Sequence, residues 1–242
     1  MNKFSLNACA KILEESFSNQ FSADLQLRFF FKKNKNIGKS ERSLIADTYY
    51  NVIRNKRYLE VLGSTNNPFK LILIYLIKIQ GRSIRDLLPL INKDDGLWLS
   101  KIKANKLDNL SLSEKLSLPE WLWLKLARQY KESLAMQIAN SLLLPAQLCL
   151  RVNTLKRKGK EEVIAELKGS FCEVKDQIYE TKISPIGVIL PRGSYIQKHP
   201  LFLEGNIEVQ DEGSQLLSYL VNPKRGQMVA DFCAGAGGKT LA

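Results

Sequence analysis

Met228-Val229-Ala230-Asp231-Phe232-Cys233-Ala234-Gly235-Ala236-Gly237-Gly238-Lys239-Thr240 joins a short apolar run, a carboxylate and a cluster of glycines. The order predicts a buried strand over 228–232, a tight turn and the start of a helix. Glycines suit such a turn because they lack a Cβ and tolerate positive φ, so the backbone can approach a ligand closely. Spacing removes two ligand classes. A phosphate-cradling loop ending in Gly238-Lys239-Thr240 needs a glycine where Cys233 stands. A dinucleotide fingerprint built on Gly235 and Gly237 needs one where Thr240 stands. An S-adenosylmethionine loop on a Rossmann-like sheet keeps its acidic strand end and its small residues. An ordinary strand-to-helix turn is the competing reading, and three glycines within 235–238 weigh against it.

Upstream of this stretch, helix and strand alternate from residue 145. Residues 147–153 alternate in the manner of a strand, and a basic segment at 156–160 leads into a helix over 161–167. Further strands are expected at 174–179, 188–190 and 207–209, and a helix at 210–220. This alternation predicts a small α/β unit. Before it the chain reads as helical. Apolar residues recur at helical spacing over 4–17 and 23–31, and Ser40 is the expected N-cap of a third helix. There Leu44, Ile45, Tyr49, Val52, Ile53 and Leu59 form one apolar face. Asn66-Asn67-Pro68 signals a turn before a core helix at 69–80, with Gly81 at its C-cap, and 84–90 is a further short helix. Pro119 opens a helix and Pro145 closes one over 134–144. The fold class expected is thus α+β and multi-domain. A helical domain spans 1–117, a small α/β domain 118–205, and 206–242 is the start of a third.

The 242 residues carry 36 Lys and Arg against 24 Asp and Glu, a net charge of +12. A pI near 9.5 favours a polyanionic partner, RNA above a membrane surface. The longest apolar run, residues 71–77, is far short of the roughly 20 residues a membrane span needs. No signal peptide is evident at the N-terminus. Cys9, Cys149, Cys172 and Cys233 are scattered, and His199 is the single histidine. Neither a zinc site nor a disulfide framework is expected, which fits a reducing cytoplasm. His199, beside Pro200, is expected in a surface loop without a role.

Several segments, in order, resemble the bacterial Sun/Fmu (RsmB-like) rRNA cytosine-C5 methyltransferases. Residues 231–240 are similar to the family's D-x-C-A-A-P-G-G-K-T, with Gly235-Ala236 in place of its Ala-Pro. Val209-Gln210-Asp211-Glu212-Gly213-Ser214-Gln215 resembles its V-Q-D-E-x-S-Q. Leu150-Arg151-Val152-Asn153 resembles its L-R-V-N, and Ser117-Leu118-Pro119-Glu120-Trp121 its S-x-P-x-W. Ser40-Glu41-Arg42 with Tyr50-Asn51-Val52-Ile53-Arg54 resembles the D-R…Y-x-V-x-R of its NusB-like helical domain.

The resemblance implies a NusB-like domain, an RNA-contacting domain and a Rossmann-like domain. It implies S-adenosylmethionine bound at Cys233, Ala234, Gly235, Ala236, Gly237, Gly238 and Lys239, and rRNA as partner of a monomer. It also implies a cysteine thiolate that adds to carbon 6 of cytosine, so that carbon 5 can attack the methyl group. The P-C-S and T-C-S segments that carry the family's two cysteines are absent, so no catalytic residue and no metal ligand is assigned. Nor does an acidic residue follow the glycines at ribose-binding distance. The expectation is an N-terminal portion, shortened just after the glycine loop and inactive alone. The alternative is a non-catalytic RNA-binding module or relic. Electrostatic contact with RNA is expected first from Arg151, Asn153, Lys156, Arg157, Lys158 and Lys160. It is expected also from Lys32, Lys33, Lys35 and Lys39, and from Arg54, Lys56 and Arg57.

Overall fold

A computed structural model describes residues 1–18, 21–104, 110–156 and 159–242. The chain divides into two compact units, residues 1–145 and 146–242.

In the first unit, α1 (Lys3–Ser18), α2 (Ala23–Lys33), α3 (Lys39–Arg54) and α4 (Lys56–Gly63) precede α5 (Pro68–Lys78). Residues 71–77 of α5 are all buried. A helix apolar on every side needs neighbours on every side, and α1, α3, α4 and α7 (Lys93–Ala104) pack against it. Asn67 starts α5 by accepting from Lys70 N at 3.1 Å, with Pro68 in the first turn. Gly81 has φ +71 where the chain leaves that helix. Residues 84–90 fold as α6 (Ile84–Leu87) and one 3-10 turn.

Two local expectations are corrected. Gly38, not Ser40, caps α3, without a side-chain bond. Arg42 secures the entry instead, its Nε donating to Ile37 O at 2.8 Å and Nη2 to Lys35 O at 3.0 Å. The apolar face read from Leu44 to Leu59 is split at Asn55, so buried Leu59 belongs to α4.

The rest of the first unit is α8 (Leu112–Lys115), α9 (Glu120–Gln129) and α10 (Glu132–Leu143). Ser111 and Glu114 form a reciprocal capping box on α8. Leu116, Leu118, Trp123, Ala135 and Ala139 make a small core of their own. Ser117 Oγ accepts from Tyr58 N at 3.4 Å, tying this helical group to α4.

In the second unit, β1 (Leu148–Val152) lies between β3 (Gly187–Leu190) and β4 (Ile207–Val209), and β2 (Tyr179–Glu180) pairs with β3. Every pairing is antiparallel, with Leu150 opposite Val188 and Arg151 opposite Glu208. The unit is therefore α+β in character, not the α/β arrangement that alternation suggested. Leu150, Val152, Val188, Leu190 and Ile207 form its core with Val163 and Leu167 of α11 (Lys160–Ser170). At Gly187 a Cβ would sit 2.2 Å from Thr181 Oγ1, so only glycine fits there.

Residues 172–177 form a 3-10 turn rather than most of a strand. Glu173, Lys175, Asp176 and Gln177 are exposed and have no apolar face to bury. His199 is also corrected. It is only 9 % exposed, at the start of α12 (Pro200–Leu203). Its Nδ1 accepts from Leu201 N at 3.2 Å, leaving Nε2–H to donate to Ser170 Oγ at 2.9 Å. Its ring stacks on Phe171.

The last helix, α13 (Glu212–Val221), is capped by Asp211 and ends at Asn222 with φ +42. Residues 228–232, expected as a strand, are not one, and no helix follows the glycines. A strand is held by ladder bonds to neighbours, and the sheet of this unit offers none to this run. Among the described residues no helix is long and apolar enough to cross a membrane, and no group of His, Cys, Asp and Glu could hold a metal.

Candidate cofactor loop and nucleic-acid interface

Asp231 organises the glycine loop. Its Oδ1 accepts from Cys233 N at 3.0 Å and its Oδ2 from Thr240 Oγ1 at 2.6 Å. The Thr240 hydroxyl, then the Cys233 N–H, hold this carboxyl below its usual range. Gly235 and Gly237 have φ +55 and +82, a region that costs other residues strain. A Cβ on Gly237 would also meet Leu241 Cδ1 at 3.2 Å.

Three side chains tie this segment down by its carbonyls. Gln210 Nε2 donates to Gly238 O at 2.6 Å, Ser218 Oγ to Lys239 O at 3.3 Å, and Arg151 Nη1 to Leu241 O at 3.1 Å. The N–H groups of Gly235, Ala236 and Gly238 donate to no partner among the described residues. With carbonyls tied back and these donors unused, the loop suits acceptor atoms of a ligand.

Beneath it, Gln215 is fully buried on α13. Its Nε2 donates to Gln210 O at 2.9 Å and Leu150 O at 3.2 Å, and its Oε1 accepts from Ser184 Oγ at 2.6 Å. Glu212 Oε1 accepts from Ile183 N at 2.7 Å and Ser184 N at 2.8 Å. Those amides, Ser184 first, hold its carboxyl below the usual range. Gln210, Glu212 and Gln215 thus form a polar junction between α13, β1 and the 181–187 turn. Their spacing in Val209–Gln215 was visible, but nothing in the sequence marked them as structural.

The expected RNA-contacting residues are distributed differently. Arg151 is 5 % exposed, and its Nη2 bridges Glu208 Oε2 at 2.6 Å. Asn153 Nδ2 donates to Gly205 O at 3.0 Å. Lys156 Nζ donates to Glu204 O, and Lys160 pairs with Glu180. These four side chains brace the sheet unit, and buried Arg151 does not present its charge to solvent. Arg157 and Lys158 lie outside the described residues. On the helical unit, Lys32, Lys33, Lys35, Lys39 and Arg57 are exposed. Lys56 lies over the Phe17 ring and pairs with Glu60, while Arg54 lies over Tyr50.

The buried thiols are poor nucleophiles. Burial pushes Cys9 up to about 12 and, together with Asp211 and Glu212, pushes Cys149 up to about 11. Both remain protonated near neutrality. Cys172 and Cys233 are exposed and free. For S-adenosylmethionine the residues fit in part: the loop allows close backbone approach. The apolar wall is open, however, with Met228 and Phe232 exposed. These residues do not enclose the cofactor.

No family model matches the chain. It is 24 % identical over 254 residues to the probable ribosomal RNA small subunit methyltransferase B of Bacillus subtilis, an alignment covering 92 % of this chain and 55 % of that protein. It is 32 % identical over 123 residues to ribosomal RNA small subunit methyltransferase B of Pseudomonas syringae, covering 50 % of this chain and 26 % of that one. Among solved structures, one described as "Crystal Structure of PH0851" superposes with a TM-score of 0.66 at 19 % identity, covering all of this chain and 60 % of the other. That likeness concerns the fold. The chain spans about half the length of the Bacillus protein. In sequence, this chain is similar to ribosomal RNA small subunit methyltransferase B proteins of several bacteria.

Proposed function

We propose that these residues are the RNA-contacting and loop-bearing portion of an S-adenosylmethionine-dependent rRNA cytosine-C5 methyltransferase. The observation that carries this reading is the similarity to a methyltransferase B protein over 92 % of the chain, together with the tied-down glycine loop. The division proposed is a helical part over 1–117, an RNA-contacting part over 118–205 and the start of a cofactor domain at 206–242. Cys233 to Lys239 would line the methionine side of the cofactor once further strands cover the loop. The 242 residues alone are expected not to transfer methyl groups, because none of their four cysteines stands in a P-C-S or T-C-S segment and the loop is open. The test offers rRNA and S-adenosylmethionine labelled in its methyl group to the purified chain. Methyl transfer above background would sink the claim of inactivity, and C5-methylcytosine in the product would locate the chemistry.

A non-catalytic RNA-binding module is the second reading, favoured by the +12 charge and the exposed Lys32, Lys33, Lys35 and Lys39. Both readings require RNA affinity that falls steeply with salt. They separate when a polypeptide matching the remaining length of the relatives is added. Only the enzyme reading expects methyl transfer to appear.

A further inference from the structure

A groove of about 780 Å³ opens on the helical unit, lined from the α3–α4 corner, the end of α5 and the last turns of α10. Four amide side chains, Asn51, Asn55, Gln137 and Asn140, line it together with Tyr58. No carboxylate belongs to the lining; Lys115 brings positive charge to it, and Lys78 donates its Nζ to Lys103 O at 3.2 Å. Two of the amides are held in place. Asn51 Nδ2 donates to Asp47 O at 2.7 Å and its Oδ1 accepts from Arg54 Nη1 at 3.0 Å, so Asn51 serves as wall, and Asn55 Nδ2 donates to Asn51 O at 2.8 Å. Asn55 is 8 % exposed, and its Oδ1 accepts from no group among the described residues. Gln137 and Asn140 are exposed on α10.

An amide carries a donor pair and an acceptor side by side, the complement of a nucleobase edge. A phenol ring offers a face on which a base can stack, and lysines draw in the adjoining phosphates. We infer that this groove takes an unpaired base of single-stranded RNA, its edge against the Gln137 and Asn140 amides and Asn55 Oδ1, and its face on Tyr58. The inference rests on the RNA-contacting role proposed above and adds a site on the helical unit, apart from the glycine loop. A duplex would hide the edges that the amides need, so the ligand class is unpaired RNA. The positive charge and the missing carboxylates favour a polyanion, and the exposed amides beside an aromatic ring favour one that carries bases.

The test measures binding of the whole chain to three fluorescent probes of equal length: a mixed-sequence single-stranded RNA, an abasic RNA and an RNA duplex. The wild type is expected to bind the base-bearing single strand about tenfold tighter than the abasic one, the scale of one base stack. The double variant Gln137→Ala/Asn140→Ala and the single variant Tyr58→Leu should each bring that affinity toward the abasic level. Abasic affinity and its salt slope should stay unchanged, with melting temperature confirming that each variant folds. Variants that bind the base-bearing strand as the wild type does would overturn the groove. So would a wild type that does not distinguish the base-bearing strand from the abasic probe or the duplex. A wild type that binds none of the probes at low salt would overturn the RNA-contacting role itself.

Discussion

Residues 71–77 and residues 228–232 are both short apolar runs, yet all seven of the first are buried, while Met228, Val229 and Phe232 are 101, 61 and 96 % exposed. The first run sits among α1, α3, α4 and α7, whose apolar faces close over it. The second follows a sheet whose strands offer it no pairing. Apolar composition supplies a driving force of roughly 25 cal/mol per Å², but only where another surface displaces the water. The contrast teaches that burial belongs to a run together with its neighbours.

The sharpest way to break this comparison is truncation in each run. Ile74→Ala, at a fully buried position, should destabilise the helical unit by about 2–5 kcal/mol in urea unfolding. A loss below about 1 kcal/mol would mean that α5 is not the centre of that core.

Next in size, Gln215→Ala removes the polar junction and leaves Ser184 Oγ buried without its acceptor. It should cost the sheet unit about 2–3 kcal/mol, again read from the urea midpoint.

Alkaline pH gives a smaller effect. Cys149 is raised from about 9 to about 11 on folding. The unfolded thiol ionises first, so its contribution is fully present below about pH 9 and lost as pH rises through about 11. The melting temperature of the wild type should fall across that window by a few degrees more than that of Cys149→Ala. Parallel curves would show that the thiol is not buried as described.

Least affected should be Phe232→Ala, within about 0.5 kcal/mol of the wild type because the ring covers nothing. Limited trypsin digestion should cut first beside exposed Lys224 or Arg225. Protection there would mean that the segment is covered in solution.

Much of the helical unit was legible because a buried helix face leaves a spacing of three and four residues, and because Asn67-Pro68 signals a start in local chemistry alone. The sheet unit was legible in β1, β3 and β4, but not in β2, in the open 228–232 run or in strand direction. β1 buries Leu150 and Val152 on one face and Cys149 and Arg151 on the other. A strand's alternation says which residues share a face, but not whether both faces are covered. For that reason Arg151 read as a cation for phosphates, when its guanidinium is held by Glu208 and the Leu241 carbonyl. His199 was misplaced for a similar reason, since its partners Ser170 and Phe171 are distant in sequence.

What the sequence by itself determined is therefore local or compositional: the helical starts and stops, the turn chemistry of the glycines, the +12 charge and the ordered resemblance to a methyltransferase family. Tertiary structure alone decided which side chains are buried, that the sheet is antiparallel, and that the glycine loop is tied down by Gln210, Ser218 and Arg151 without being enclosed. The physical reason is range. Backbone preference and capping act within a few residues, whereas burial and hydrogen-bond satisfaction depend on whatever distant segment the fold brings alongside.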